Sequence, residues 1–203
     1  MNHLAHVVLA GTDEGLRLGA FLGDHIKGRA ALNELPPDWA AGVILHRRID
    51  TLSDAHPAVT AVLETLEPPW RRYGGVILDV LFDHMLTRHW QRFGDVQLST
   101  LADEIDDLLA RHRPTLPPRL VRFSLWAERR GLWQRYGERS MLEEIFTLLA
   151  RRHGRTWPLA HGARLLDDRQ AAIEQAFLEM FPVLQARVAR EREALQSSSW
   201  SSM

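Results

Sequence analysis

The sequence predicts an all-α protein, a single-domain helical bundle that ends in a long C-terminal helix. Three observations carry that prediction. Apolar residues recur at a helical period from end to end, with no strand-like alternation and no internal repeat. Breaks at Pro36-Pro37, Pro68-Pro69 and Gly94-Asp95 cut the pattern into helix-sized pieces. One piece, Val76 to Trp90, is apolar around almost its whole circumference, as a central buried helix must be. The chain has 203 residues, of which 45% are hydrophobic and 25% charged, and this suits one soluble domain. The expected boundaries are 1–196 for the domain and 197–203 for a flexible serine-rich tail.

Taken in order, MNHLAHVVLAGTDEG reads as a short turn or helix and then a loop, with Thr12 or Asp13 capping the next helix. That helix is expected over Glu14 to Lys27. Its Gly19 and Gly23 stand at i, i+4, where they admit a second backbone at close range. Asp38 is expected to cap a helix through about Ser53, and His56-Pro57 to begin one reaching Glu67. The central helix follows, then a turn at Gly94-Asp95. Ser99 can cap LADEIDDLLARH, which ends before the Pro114 to Pro118 loop. Helices near Pro118 to Arg130, Glu138 to His153 and Ala163 to Leu195 complete the set, with Pro182 expected to kink the last.

Charge and composition narrow the chemistry. A net charge of -1 gives no global attraction to nucleic acid or an anionic membrane. Lys27 is the only lysine, so arginine supplies nearly all the basic groups and is the better residue for bidentate phosphate and carboxylate recognition. Without cysteine there are no disulfides and no thiolate ligands, so a metal would have to be held by histidine and carboxylate. The apolar run Val7 to Ala10 is too short for a signal or membrane segment, and a cytoplasmic location is expected.

Within that frame the acids and histidines cluster. Asp79 and Asp83 lie one turn apart on the central helix, about 40° from each other on one face. Two ionised carboxylates in an apolar interior demand a cation, a guanidinium or a proton between them. His46 and Asp50 form a second i, i+4 pair, suited to joint ligation or to a carboxylate orienting an imidazole. Asp24 shares a helix face with Arg17, Ala20 and Phe21. His3 and His6 stand near the start, and His84 lies about 100° round from Asp83. Arg47 and Arg48 point elsewhere on their helix, where one of them can reach Asp54 or a phosphate. There is no nucleophilic serine or cysteine motif and no phosphate-cradling glycine loop. The residue set favours hydrolysis by metal-activated water, with arginine stabilising the developing charge.

The segments MNHLAH, GAFLGDHIKG (19–28), HRRIDTLSDAHP (46–57) and RRYGGVILDVLFDHMLTRHW (71–90) resemble the acyl carrier protein phosphodiesterases. Looser similarity runs through SLWAERRGLWQRY and FLEMFP. The resemblance implies a helical fold akin to HD-domain metal phosphohydrolases. It also implies hydrolysis of the phosphodiester joining 4'-phosphopantetheine to holo-acyl carrier protein, with manganese, or else magnesium, iron or zinc, as cofactor. By matching position it places His6, Asp24, His46, Asp50, Asp79 and Asp83 at the metal. Asp24, Asp79, Asp83, His84 and Arg47 become the catalytic set, and Arg47 and Arg72 face phosphate. Two positions depart from the family pattern: Ala20 stands where asparagine is common, and His25 where an aromatic is common. An acidic carrier protein calls for a basic docking face, and Arg111, Arg113, Arg119, Arg122, Arg129 and Arg130 are the candidates. The competing readings are a phosphohydrolase of small phosphodiesters or nucleotides, and a non-catalytic helical module that binds acidic carrier proteins.

Overall fold

The computed structural model describes residues 1–152, 154 and 158–200, with side chains described as far as residue 194. Among the described residues every regular element is helical. The α-helices are α1 (His3–Ala10), α2 (Glu14–Leu22), α3 (Gly28–Asn33), α4 (Pro37–Asp54), α5 (Pro57–Glu64), α6 (Gly74–Arg88), α7 (Trp90–Phe93), α8 (Leu98–His112), α9 (Pro118–Arg130), α10 (Leu132–Arg135), α11 (Arg139–Arg152) and α12 (Leu165–Trp200). Short 3-10 turns lead into α6, follow α8 and precede α12. No described helix is long and apolar enough to cross a membrane.

Local chemistry sets most boundaries. Asp13 caps α2 by accepting from the Leu16 N–H at 2.8 Å, as expected from sequence. His56 caps α5 through Nδ1. α9 spans the expected residues and stops at Gly131, whose left-handed backbone (φ 60°) suits glycine. Two expected caps sit one step inside their helices. Pro36 and Pro37 open α4 ahead of Asp38, and Gln97 precedes α8 ahead of Ser99. α2 ends at Leu22 rather than Lys27, so Asp24 sits in the turn that follows and not on a helix face. The expected end of α11 at His153 lies outside the described residues. α12 continues to Trp200, and 201–203 lie outside them too.

Two helices form the middle of the molecule. α6 buries residues round most of its circumference, as its composition requires. The short α1 is equally enclosed, with Leu4, Ala5, His6, Val7, Leu9 and Ala10 buried against α2, α4, α6 and α12. α2 crosses α4 at close range. A Cβ on Gly19 would stand 2.5 Å from the Gly42 Cα, and one on Gly42 would stand 2.5 Å from the Leu16 carbonyl oxygen. Only hydrogen at both positions lets these backbones touch. Phe177 and Phe181 of α12 pack on Phe93 at 5.5 and 5.2 Å between ring centres, and Phe177 also faces Phe82 of α6.

Candidate functional site

The α2–α4 contact delivers His46 to the interior beside His6. The two imidazoles stack at 3.9 Å with 14° between their planes. Asp50, one turn beyond His46, spans both rings. Its Oδ1 lies 3.0 Å from His6 Nε2, and its Oδ2 lies 3.2 Å from His46 Nε2. The three donor atoms available for a metal all fall within 4.8 Å of one another.

The tautomers matter here. His46 Nδ1 donates to the Ala20 carbonyl at 2.8 Å, since a carbonyl can only accept. That leaves Nε2 facing a carboxylate oxygen of Asp50, an arrangement that calls for a proton or a cation between them. His6 Nε2 faces two acceptors, the Met1 carbonyl at 3.1 Å and Asp50, while its buried Nδ1 has no hydrogen-bond partner among the described residues. Burial lowers the His6 pKa to about 3, so this ring is neutral. Desolvation opposes the charge on Asp50, yet its contacts with His46, His6 and the Met1 ammonium hold the carboxyl well below the usual range. One nitrogen from each of His6 and His46 and an ionised Asp50 oxygen together make a donor set that fits a divalent cation.

Positive charge is already concentrated beside Asp50. The buried α-ammonium of Met1 lies 2.7 Å from Asp79 Oδ1 and 3.6 Å from Asp50 Oδ1. Burial disfavours its charge, but the two aspartates outweigh that and raise its pKa to about 10. Asp24 stands at the mouth, more than half exposed, with Oδ1 4.0 Å from His46 Nε2. Desolvation would raise its pKa, and the His3 and His46 rings reverse the direction.

The structure thus brings His6, His46 and Asp50 together, with Asp24 and Asp79 at the margin. It sets four expected residues apart. Asp83 is fully buried, but its oxygens accept from the Leu4 and Ala5 N–H groups at 2.8 and 3.1 Å. The free amides at the start of α1 claim this carboxylate, and the Met1 ammonium that pairs with Asp79 also acts on Asp83 electrostatically, so the positive charge expected between the two acids is supplied by the chain itself. Desolvation pushes Asp83 up to about 7 against the pull of those two amides. His84 Nδ1 donates to the Tyr136 carbonyl at 3.0 Å. Arg47 is exposed and donates to the Ile26 carbonyl at 2.8 Å, and Arg72 lies over the Tyr73 ring. Asp24 also differs from expectation, because its turn position leaves it exposed where a helix face would have buried it.

Residues that spacing did not single out adjoin the cluster. Asn2, which donates to the Tyr136 hydroxyl at 2.6 Å, lines a cavity of about 500 Å³ together with His3 and Asp24. The cavity extends between α9 and α11. His3 packs between Phe21 and Phe123, and burial lowers its pKa to about 4. The basic face expected from sequence is partly neutralised, because Arg111, Arg113 and Arg130 bind Glu14, Glu128 and Glu144. Arg129 donates to the Leu125 carbonyl of its own helix.

Comparison with known proteins agrees with the resemblance read from the segments. The profile of the family described as "Acyl carrier protein phosphodiesterase" matches residues 1–184. A protein of that name from Yersinia pestis is 32% identical over 190 residues, covering 91% of this chain and 95% of the relative. One from Salmonella agona is 32% identical over 195 residues, covering 94% and 99%. No solved structure gives a significant match.

Proposed function

Because this chain belongs to the acyl carrier protein phosphodiesterase family, we propose that it hydrolyses the phosphodiester joining 4'-phosphopantetheine to a serine of holo-acyl carrier protein. Apo-carrier and free 4'-phosphopantetheine are the products. The observation that carries this reading is Asp50 spanning His6 and His46 at 3.0 and 3.2 Å in the buried middle of the fold.

His6, His46 and Asp50 would hold a divalent cation, manganese by the family resemblance. Bound there, the cation would supply an acidified water and charge neutralisation for the phosphoryl oxygens. The protein's own groups do the rest. The Ala20 carbonyl fixes the His46 ring so that Nε2 faces the cluster. Asp50 stays ionised across the neutral range. Asp24 is an exposed carboxylate 4.0 Å from His46 Nε2 that also lines the cavity, and this position suits it to take a proton from the attacking water. Water oxygen bonds to phosphorus, the bond from phosphorus to the serine oxygen breaks, and that oxygen leaves with a proton.

The test is mass spectrometry of holo-carrier incubated with the protein and manganese, magnesium, iron or zinc in turn, with a chelated control. Conversion to apo-carrier that the chelator abolishes is the expected result. Unchanged holo-carrier under every metal overturns the reading, and turnover of small phosphodiesters alone would move it to a different substrate. A chain that takes up no metal and hydrolyses nothing would be a binding module.

A further inference from the structure

The arginines of α8, α9 and α11 fall into two groups. Arg111, Arg113 and Arg130 are each matched by a glutamate. Arg119 and Arg122 on α9 and Arg152 at the end of α11 have no carboxylate partner among the described residues, and all three line the cavity beside Asp24. Asp24 is the one carboxylate among the described residues of that lining, so three described guanidinium groups face a single negative charge there. Like charges gathered in one concavity repel each other, and an entering anion relieves them. Arg119 and Arg152 both act electrostatically on His25, and Arg152 on His3, so the positive charge reaches the end of the cavity next to the cluster.

The remaining wall is apolar. Phe123 lies 4.7 Å from the His3 ring and 6.1 Å from Trp126, which makes a continuous surface leading away from the cluster. Leu148 and Leu149 face it from α11, and Leu148 is left 38% exposed. At about 500 Å³ the cavity has room for a molecule of cofactor size. An anionic head beside an extended arm of low charge is the ligand class these walls complement.

We propose that this cavity seats the prosthetic arm of the substrate, with Arg119, Arg122 and Arg152 binding its phosphate and Phe123, Trp126 and Leu148 covering its length. The assignment rests on the hydrolase reading above for the identity of the arm. It makes the three arginines specificity-determining residues, in place of the Arg47 and Arg72 suggested by sequence.

The test is a binding titration of the full chain, without added metal, by 4'-phosphopantetheine and separately by pantetheine, followed by calorimetry and tryptophan fluorescence. Trp126→Phe assigns the optical signal. 4'-Phosphopantetheine is expected to bind at least roughly tenfold more tightly than pantetheine. Arg119→Gln, Arg122→Gln and Arg152→Gln should each erase roughly tenfold of that affinity and leave pantetheine unaffected. Leu148→Asp should weaken both ligands. Arginine variants that bind 4'-phosphopantetheine like the parent overturn the proposal. If they instead raise KM for holo-carrier alone, the occupant is the acidic surface of the carrier protein. Absence of saturable binding at millimolar ligand overturns it as well. The two readings fail separately. A protein that binds 4'-phosphopantetheine as described but never converts holo-carrier retains the cavity and loses the reaction. One that converts holo-carrier with indifferent arginine variants retains the reaction and loses the cavity.

Discussion

Gly23→Ala is the most economical way to test whether His46 is held where it works. A Cβ built at position 23 stands 2.2 Å from His46 Cγ, 2.3 Å from Cδ2 and 2.6 Å from Nδ1. Ordinary carbon contacts are about 3.5–4.0 Å, so the ring or the backbone must yield by more than about 1 Å. The ring cannot yield freely. Its Nδ1 is bonded to Ala20, its face rests on His6, and Nε2 contacts Asp50. The backbone at Gly23 is right-handed helical (φ -49°, ψ -43°), so alanine introduces no torsional strain there. Overpacking costs about 1–3 kcal/mol. The reduced freedom of the unfolded chain returns about 0.4–1 kcal/mol. The net loss is at most about 2.5 kcal/mol, a drop of no more than several degrees in Tm for a chain of this size. Turnover should suffer more, because a displacement of about 1 Å in a catalytic assembly costs on the order of a hundredfold. The assay pairs conversion of holo-carrier, read by mass spectrometry, with the rise in Tm on adding manganese. Gly75→Ala is the control, since its Cβ meets nothing within 4 Å. A Gly23→Ala protein with parental turnover and a parental manganese response would refute the reasoning.

Three further outcomes are expected. Asp83→Ala leaves the Leu4 and Ala5 amides buried without acceptors, at about 1–3 kcal/mol each. Urea unfolding should therefore show a loss of roughly 2–6 kcal/mol, with Asp83→Asn intermediate, and a change under about 0.5 kcal/mol would remove the cap from the account. Asp50→Asn should keep the helical circular dichroism while elemental analysis shows metal affinity down by more than about a hundredfold. Metal retained at parental stoichiometry would exclude Asp50 as a ligand. The chelated protein should also be acid-sensitive. His6 and His3 have folded pKa values lowered to about 3 and about 4, so the unfolded chain binds protons that the folded one refuses as pH falls below about 6.5. Each ring then removes up to about 1.4 kcal/mol per pH unit until its folded pKa is reached. Asp83, raised to about 7, works in the opposite direction and returns up to about 1.4 kcal/mol per pH unit between about pH 7 and 4, so the two rings outweigh it and the net effect remains a loss. Asp50, depressed in the folded state, adds to the loss below about pH 4. Guanidinium melts at pH 7, 6 and 5 measure it, and a flat profile would contradict neutral buried rings.

Helix identity was legible because it depends on patterns that lie within one element. The apolar circumference of α6, the Asp13 and His56 caps and the Pro118 to Arg130 span all follow from neighbours in sequence. Glycine spacing at 19 and 23 also announced a close approach, and the structure supplies Gly42 and His46 as the approaching parties. The His46–Asp50 pair was readable for the same reason, being one turn of one helix. What the pattern could not hold is which side of a helix faces which neighbour. Asp79 and Asp83 share a face within about 40°, but α1 packs against that face and divides it. Its free amides take Asp83, and the Met1 ammonium takes Asp79. Asp24 was misplaced because α2 stops at Leu22, and the turn that follows sends its carboxylate outward.

The partition of the two acids explains how a ligand on an eight-residue helix is held in place. Helices this short are not stable alone in water, so α1 must take its position from its neighbours. Asp83 supplies that position by accepting from two successive amides at one end of α1, a contact that fixes both the translation and the rotation of the helix. His6 lies one residue beyond the second of those amides, so the same contact sets the direction of its imidazole toward Asp50. On this view Asp83 is a positioning residue for the metal cluster and not a member of it. Asp83→Asn should then weaken manganese binding in parallel with the loss of α1 stability, while Asp50→Asn should abolish binding without unfolding anything. If Asp83→Asn destroys metal binding and leaves hydrogen exchange of the α1 amides unchanged, the carboxylate reaches the cation directly and the geometric argument is wrong.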